Sequence, residues 1–368
     1  MSTEQKKVKL GVVGCGAVAL RNYFPFISND ERIELISVCD KVGERAKEAA
    51  RKFNAKEWYN DHSTMFKKAD IETVALLTPM RFHYPQIVEA IQAGKHVYTQ
   101  KPLAMKLKEA NHIMDAAEKK DIKICVSPGQ MLDPVHQEIK RIVKEGTIGK
   151  VCFSRAHGSH IGHESEFGSD FQYGTDPSWY YKQGGGPVFD VAVYPLHSLT
   201  AILGSVKRIT SFSGIAIPKR LWKNKEIEVE TADNMMMLLD FGDSVFSSLD
   251  SSFCMRAANT PMIELYGGQG VIHMNPWTKA GPPLEIFVEK EAFGFPRGWF
   301  IPTKGSEGNL RSPGICEDLF HLIDCILEHK SPIPSVEHAR HIVEIIEKAY
   351  ESSRTGISQN LMTEMPKL

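Results

Sequence analysis

Short apolar runs alternate with amphipathic stretches along the first third of the chain. Runs at 9–13, 33–40, 73–78, 96–100 and 122–126 read as buried strands, and 17–27, 42–53, 83–93 and 108–119 carry helical spacing between them. Strict alternation of this kind predicts a doubly wound parallel sheet with helices on both faces. After Pro128 the pattern changes. A helix over 135–145 stops at Gly146 and Gly149, and Val151 opens a strand-rich half. Runs at 207–216, 234–241, 245–252, 262–266, 270–274 and 284–290 follow, most of them joined by turn pairs such as Gly242-Asp243 and Gly267-Gly268. Such turns suit an open, mainly antiparallel sheet. Helical spacing returns at 315–329 and 336–353, while the Gly/Pro-rich stretch 276–314 reads as a long surface loop and a candidate subunit contact. The expected organisation is a first domain over 1–127 and an α+β second domain over 128–368, with the helices of 315–353 packing back toward the first.

The join between the first strand and helix carries chemistry. Gly14-Cys-Gly16-Ala-Val-Ala19 is a Gly-x-Gly-x-x-Ala turn. Gly14 allows the tight turn, Gly16 leaves room for a pyrophosphate against backbone, and the small Ala19 lets helix and sheet approach. The start of the following helix, at Ala17 and Val18, offers free N–H groups and the positive dipole end to phosphates. Asp40 ends the second strand at about the distance expected of the acidic residue that accepts from ribose hydroxyls. Together these residues predict a Rossmann-type dinucleotide domain. A carboxylate at position 40 favours NAD, and the neighbouring Lys41 and Arg45 keep NADP open.

Charge and composition narrow the rest. With 368 residues the chain can bury two full cores, and a net charge of −1 gives no broad footprint for nucleic acid or anionic membrane. No run approaches the roughly 20 apolar residues of a membrane span. The polar Met1–Lys7 segment does not read as a signal peptide, and seven scattered cysteines without a Cys-x-x-Cys pair read as reduced thiols. A cytoplasmic location is expected.

A second motif, Ala93-Gly-Lys-His-Val-Tyr-Thr-Gln-Lys-Pro-Leu-Ala104, resembles the hallmark of the Gfo/Idh/MocA oxidoreductases, in which Ala-Gly-Lys-His-Val leads to Glu-Lys-Pro. The resemblance extends to Thr78-Pro79-x-x-x-His83 and to Gly184-Gly-Gly-x-x-x-Asp190-x-x-x-Tyr194, so it covers nearly the whole chain. It implies an oxidoreductase in which hydride passes between a nicotinamide cofactor and a hydroxyl or carbonyl carbon of a sugar, polyol, inositol or sugar acid, in a cleft between the domains. Thr78, Pro79, His83, Gln100 and Lys101 would join the glycines, Asp40 and Lys41 as cofactor contacts. Lys101 would also reach the substrate oxygen, where an ammonium favours a developing alkoxide. The family often has a cis bond before the following proline. Gln100 departs from the usual Glu: its amide oxygen still accepts, but a negative charge beside Lys101 is gone.

In the second domain, Asp190, Tyr194 and His197 fall at i, i+4 and i+7 and are expected on one helical face. By resemblance, Asp190 orients a substrate hydroxyl and position 194 transfers the proton. Tyrosine there is the variant of the glucose–fructose oxidoreductase-like and dihydrodiol or xylose dehydrogenase-like branches. A tyrosine has an ordinary pKa of about 10, so it needs a cation, which Lys101 would supply. His197 is an alternative proton acceptor, a second hydroxyl contact, or a structural histidine. His157-x-x-His160-x-x-His163 has the look of a metal run. On a strand such triples would face opposite ways, so no metal is expected and His157 is read as substrate-lining. Trp179 and Tyr181 read either as an aromatic wall for a sugar ring or as ordinary loop packing. The resemblance also implies oligomerisation, as a dimer or tetramer, through the open sheet. The competing functions are a tightly held NAD used for internal redox (isomerisation, elimination or transfer between sugars) and a non-catalytic dinucleotide-binding regulator. Keeping Lys101, Asp190 and Tyr194 together speaks against the regulator.

Overall fold

The computed structural model describes residues 6–165, 175–275, 282–291, 293–302 and 315–366; about half of the 276–314 stretch therefore lies outside the described residues. The described part holds strands at Leu284–Val288 and Gly298–Phe300, the second where the sequence reads as loop alone. It divides into two units, with the change at Gly129/Gln130. The segment from 315 to Val343 belongs with the first unit, and Glu344 onward with the second.

The first unit is built on six parallel strands: β1 Val8–Val13, β2 Ile33–Cys39, β3 Glu57–Tyr59, β4 Thr73–Leu76, β5 His96–Thr99 and β6 Ile124–Val126. Their order is β3-β2-β1-β4-β5-β6, the doubly wound order that reverses between β1 and β4. The central strands are buried nearly continuously, as a sheet covered on both faces demands. One face packs Tyr23, Phe24, Ala46 and Phe53 together with Leu319, Leu322 and Ile323. Those last three come from a helix over Glu317–Leu327. The other face packs Met65, Ile87 and Ile113 with Ala339 and Val343. The expected 17–27 helix is split into Ala17–Asn22 and Phe24–Ile27, with Tyr23 between them and Pro25 in the first turn of the second piece.

The second unit holds a nine-stranded sheet. Its strands are β7 Val151–Ser159, β8 Arg208–Gly214, β11 Asn234–Asp240, β12 Phe246–Ser252, β13 Ile263–Gly267, β14 Gly270–Met274, β15 Leu284–Val288, β16 Gly298–Phe300 and β17 Gln359–Asn360. A separate hairpin pairs β9 Lys219–Trp222 with β10 Lys225–Glu228. All pairings in the nine-stranded sheet are antiparallel except β7 with β12, which run parallel. Burial along β11 alternates strictly, so one face of the sheet is core and the other faces out. Met235, Met237 and Leu239 point inward; Met236 and Leu238, 62% exposed, point outward beside Phe212 at 78%. No helix among the described residues is long and apolar enough to cross a membrane.

Candidate active site

In the first unit the glycine-rich turn follows β1. Gly14 has φ +101°, and a Cβ there would sit 2.6 Å from the carbonyl oxygen of Leu77, so only glycine fits. Gly16 is the opposite case: a Cβ would meet nothing within 4 Å. The space is kept open rather than filled by protein, which is what close approach of a pyrophosphate requires. Asp40 is fixed by two backbone donors, Cys15 N–H to Oδ2 and Val42 N–H to Oδ1, both at 2.9 Å. The turn and the acidic strand end thus lock each other, and the carboxylate keeps lone pairs for ribose hydroxyls. Ala17 is buried and Val18 half-buried, while Lys41 is exposed. These residues fit a dinucleotide.

The Lys-Pro motif lies beyond β5. The Lys101–Pro102 peptide is cis, and Lys101 is half-buried. His83 requires a correction. It is completely buried, with Nδ1 2.7 Å from the Pro102 carbonyl oxygen and Nε2 2.8 Å from that of Thr78. No ring atom is left for a cofactor. Its part is to tie the loop after β4 to the loop after β5. Burial drives the imidazole pKa down, the two carbonyls pull it up, and the nearby Lys101 charge adds to the downward push. Thr78 is also committed, its hydroxyl donating to Gln86 Oε1 at 2.6 Å, and Pro79 beside it stays half-buried. Gln100 turns its amide nitrogen into the core, onto the hydroxyl of Tyr23.

In the second unit, three glycines set the entry to the helix. Gly184 and Gly186 have φ of +83° and +94°, and a Cβ on Gly185 would lie 2.4 Å from the Tyr180 carbonyl. The following turn departs from expectation: Val188–Ala192 is π-helical, and the α-helix begins only at Val193, running to Leu203. Pro195, which has no N–H for the Val191 carbonyl, suits this wider turn. Strand β7 passes directly beneath, for a Cβ on Gly158 would sit 2.7 Å from Val191 O and 2.8 Å from Ala192 Cα. The expected polar stripe is therefore not an open one. Asp190 and His197 are each only 4% exposed, while Tyr194 is half-buried.

Asp190 meets a partner that sequence reasoning did not pair with it. His163 Nε2 lies 2.6 Å from Asp190 Oδ2, and His160 Nε2 lies 3.6 Å from the same oxygen. The strand argument about the three histidines fails here, because β7 stops at Ser159 and only His157 is on it. His157 rests with Nε2 3.2 Å from Thr260 O, outside the Asp190 cluster. Past the strand, His160 and His163 pack edge to face at 4.8 Å. The cluster is hydrogen-bonding in character. His160 Nδ1 accepts the Gly162 N–H at 2.9 Å, so the neutral ring carries its proton on Nε2, the atom that a metal would need bare. The 2.6 Å contact is also shorter than the ~3.3 Å between two ligands on a tetrahedral ion with ~2.0 Å bonds.

Aromatic rings frame His163. Tyr180 stacks on it at 3.5 Å and 8°, Trp179 stacks on Tyr180 at 3.7 Å, and Phe253 stands edge-on at 5.5 Å. Tyr181, expected in a sugar-facing wall, is wholly buried and is corrected to a structural role. Its hydroxyl donates to Glu164 and accepts the His163 N–H at 2.9 Å; burial and the Glu164 charge push its pKa up. Beneath it, buried Arg220 pairs with Glu164 and Asp233, both at 2.8 Å, and lies over the Tyr181 ring at 5.0 Å. The turn bearing His163 is thus pinned by an ion cluster that no spacing in the sequence announces.

Comparison with known proteins agrees with this geometry. Residues 8–127 match the profile of the oxidoreductase family with an NAD-binding Rossmann fold, and 136–273 match the GFO/IDH/MocA C-terminal domain. Among curated proteins, the scyllo-inositol 2-dehydrogenase (NAD(+)) of Bacillus subtilis (strain 168) is 22% identical over 97% of both chains. The trans-1,2-dihydrobenzene-1,2-diol dehydrogenase of Mus musculus is 23% identical over 93% of this chain and 96% of its own. Among solved structures, a levoglucosan dehydrogenase in complex with NADH and L-sorbose superposes with a TM-score of 0.80 at 19% identity, covering 97% of this chain and 100% of that one. The glycine turn, the Lys-Pro motif and the Gly-Gly-Gly-to-Tyr194 segment thus stand in a chain that belongs to the Gfo/Idh/MocA family of oxidoreductases and opens with its NAD-binding Rossmann domain.

Proposed function

We propose that this chain is an NAD-linked dehydrogenase for one hydroxyl-bearing carbon of a sugar, polyol, inositol or sugar acid. What carries the reading is that relatives matching end to end are named for dehydrogenation of an inositol and a ring diol, and this chain keeps Lys101, Asp190 and Tyr194 in the family's motifs. NAD, when bound at the glycine turn and Asp40, supplies the hydride acceptor. The chain's residues bind, orient and move the proton. Lys101 stabilises negative charge on the substrate oxygen, Asp190 accepts from a substrate hydroxyl, and Tyr194 exchanges the proton. A second assignment of that last step rests on one observation, the 2.6 Å contact of His163 with Asp190. An imidazole hydrogen-bonded to a carboxylate is a common proton acceptor in such sites, whereas a phenol needs a nearby cation to act as one.

The outward face of the nine-stranded sheet supports self-association. Phe212 and Met236 lie directly across from each other on it, both largely exposed. Light scattering on the purified protein tests this, and a monomer at micromolar concentration overturns it.

The function is tested by NADH appearance when protein and NAD meet a panel of sugars, inositols, polyols and sugar acids, with Lys101→Ala as control. Turnover lost in the control supports the dehydrogenase. Firm NAD binding with no turnover on any member overturns it. The pH–rate profiles of Tyr194→Phe and His163→Asn then separate the two bases: the essential one removes turnover and the limb that reports it.

A further inference from the structure

Gln100, which stands where the family usually has Glu, ends a buried chain of hydrogen bonds. Its Nε2 meets the Tyr23 hydroxyl, with Ser127 Oγ at 3.4 Å. Tyr23 Oη lies 2.7 Å from Tyr98 Oη, and Tyr98 donates to Asp318 Oδ1 at 2.8 Å. The Asp318 carboxylate also receives the N–H groups of Leu319 and Gly129, both at 3.0 Å, and the Ser127 hydroxyl.

Counting protons fixes the direction of this chain. Every hydrogen-bonded neighbour of the Asp318 carboxylate is a donor, so the Tyr98 proton points at it. With the Tyr98 proton committed to Asp318, the 2.7 Å contact between the two phenols takes its proton from Tyr23, whose hydroxyl also lies 3.4 Å from the Ile315 carbonyl oxygen. The Tyr23 oxygen is left to accept, so the group of Gln100 facing it must be the NH2. The carboxamide oxygen is thereby turned away from the chain. It accepts no hydrogen bond among the described residues and is not among the sealed, unsatisfied polar atoms.

We propose that Asp318, acting through Tyr98 and Tyr23, holds the Gln100 carboxamide with its oxygen outward, so that a neutral amide presents an acceptor to a hydroxyl of NAD. The proposal rests on the reading of Gln100 as a cofactor contact, and it makes Asp318 a positioning residue that never touches the cofactor. Gln100 and Asp318 are then a matched pair. A carboxylate at position 100 would claim the Tyr23 proton while Asp318 holds that of Tyr98, leaving the 2.7 Å contact between the two phenols without a proton.

NADH is the probe, and its affinity is read by fluorescence titration of the purified protein, with a thermal melt to confirm folding; no substrate is needed. Tyr98→Phe breaks the chain and frees the amide to turn over, and should weaken NADH binding about 3- to 10-fold, the worth of one hydrogen bond. Gln100→Ala should weaken it by a similar factor, and the double variant no further than the weaker single one. Tyr23→Phe replaces Tyr98→Phe if the latter does not fold. Gln100→Glu, although it restores the family's residue, should melt lower than the wild type. Losses that multiply, or full affinity in the tyrosine variants while Gln100→Ala binds weakly, overturn the positioning role. Full affinity in Gln100→Ala overturns the reading of Gln100 itself, and the proposal with it. An unchanged melt in Gln100→Glu refutes the proton count.

Discussion

Asp318 makes a pH experiment whose sign runs against habit. Its carboxyl is 3% exposed, and burial pushes its pKa up to about 6 despite the hydrogen bonds that pull it down. An exposed aspartate titrates at about 3.9. Between the two values the folded protein holds a proton that the unfolded chain has lost. Stability contributed by this group is therefore highest below about pH 4 and falls as pH rises toward about 6, by about 3 kcal/mol for a shift of about two units. Asp318→Asn removes that slope. It also carries a fixed cost of about 1–3 kcal/mol, because the new NH2 must face a backbone N–H, that of Leu319 or Gly129. The stability of the wild type relative to the variant should then rise by about 2–3 kcal/mol from pH 7.5 to pH 4. Amide hydrogen exchange along β5 and β6, compared between the two proteins at each pH, reads the first unit alone and cancels the intrinsic pH dependence of exchange. A stability difference, wild type minus variant, that stays constant or falls on acidification refutes the reasoning.

Three further substitutions separate fold from function. Gly158→Ala places a methyl 2.7 Å from Val191 O, and must push the Asp190-bearing turn by a few tenths of an ångström or more. Turnover on a panel substrate should fall by up to about 100-fold with NADH affinity unchanged, and unimpaired turnover would mean that the turn is not part of the site. Gly16→Ala places its Cβ where no protein atom lies within 4 Å and should leave the melt where it is while NADH binding weakens; Gly14→Ala, driven against the Leu77 carbonyl, should instead destabilise the first unit. Arg220→Met strands the Glu164 and Asp233 carboxylates in the interior and should cost the second unit about 3–5 kcal/mol by urea denaturation, with Arg220→Met/Asp233→Asn milder.

What the sequence discloses and what it hides follow from the range of the interactions. The parallel sheet, the glycine turn, Asp40 and the cis Lys101–Pro102 segment are written in contiguous stretches, where burial on both faces and backbone approach leave few residue types to choose from. The helix bearing Asp190 is equally local, but its π turn is not, because it depends on Gly158 passing under it from a strand some thirty residues earlier. One clue was present: Gly162 between His160 and His163 marks the end of a strand, and with it the end of the argument that those rings face apart.

The charged interior lies beyond any such clue. Arg220 finds Glu164 across 56 positions of chain, and Tyr98 finds Asp318 across 220. Neither carboxylate sits in a motif, and each reads in the sequence as a solvated charge of the commonest kind. Burial turns them into obligations, since a carboxylate out of water has to collect donors, and the donors it collects lose their freedom to point elsewhere. That loss is what gives such residues influence over a site they do not touch. Arg220, Glu164 and Tyr181 fix the turn from which His163 reaches Asp190, and Asp318 dictates the protons that decide which end of Gln100 faces outward. A substitution at position 100 that looks, by motif, like weakened cofactor recognition is on this argument compensated 218 residues away.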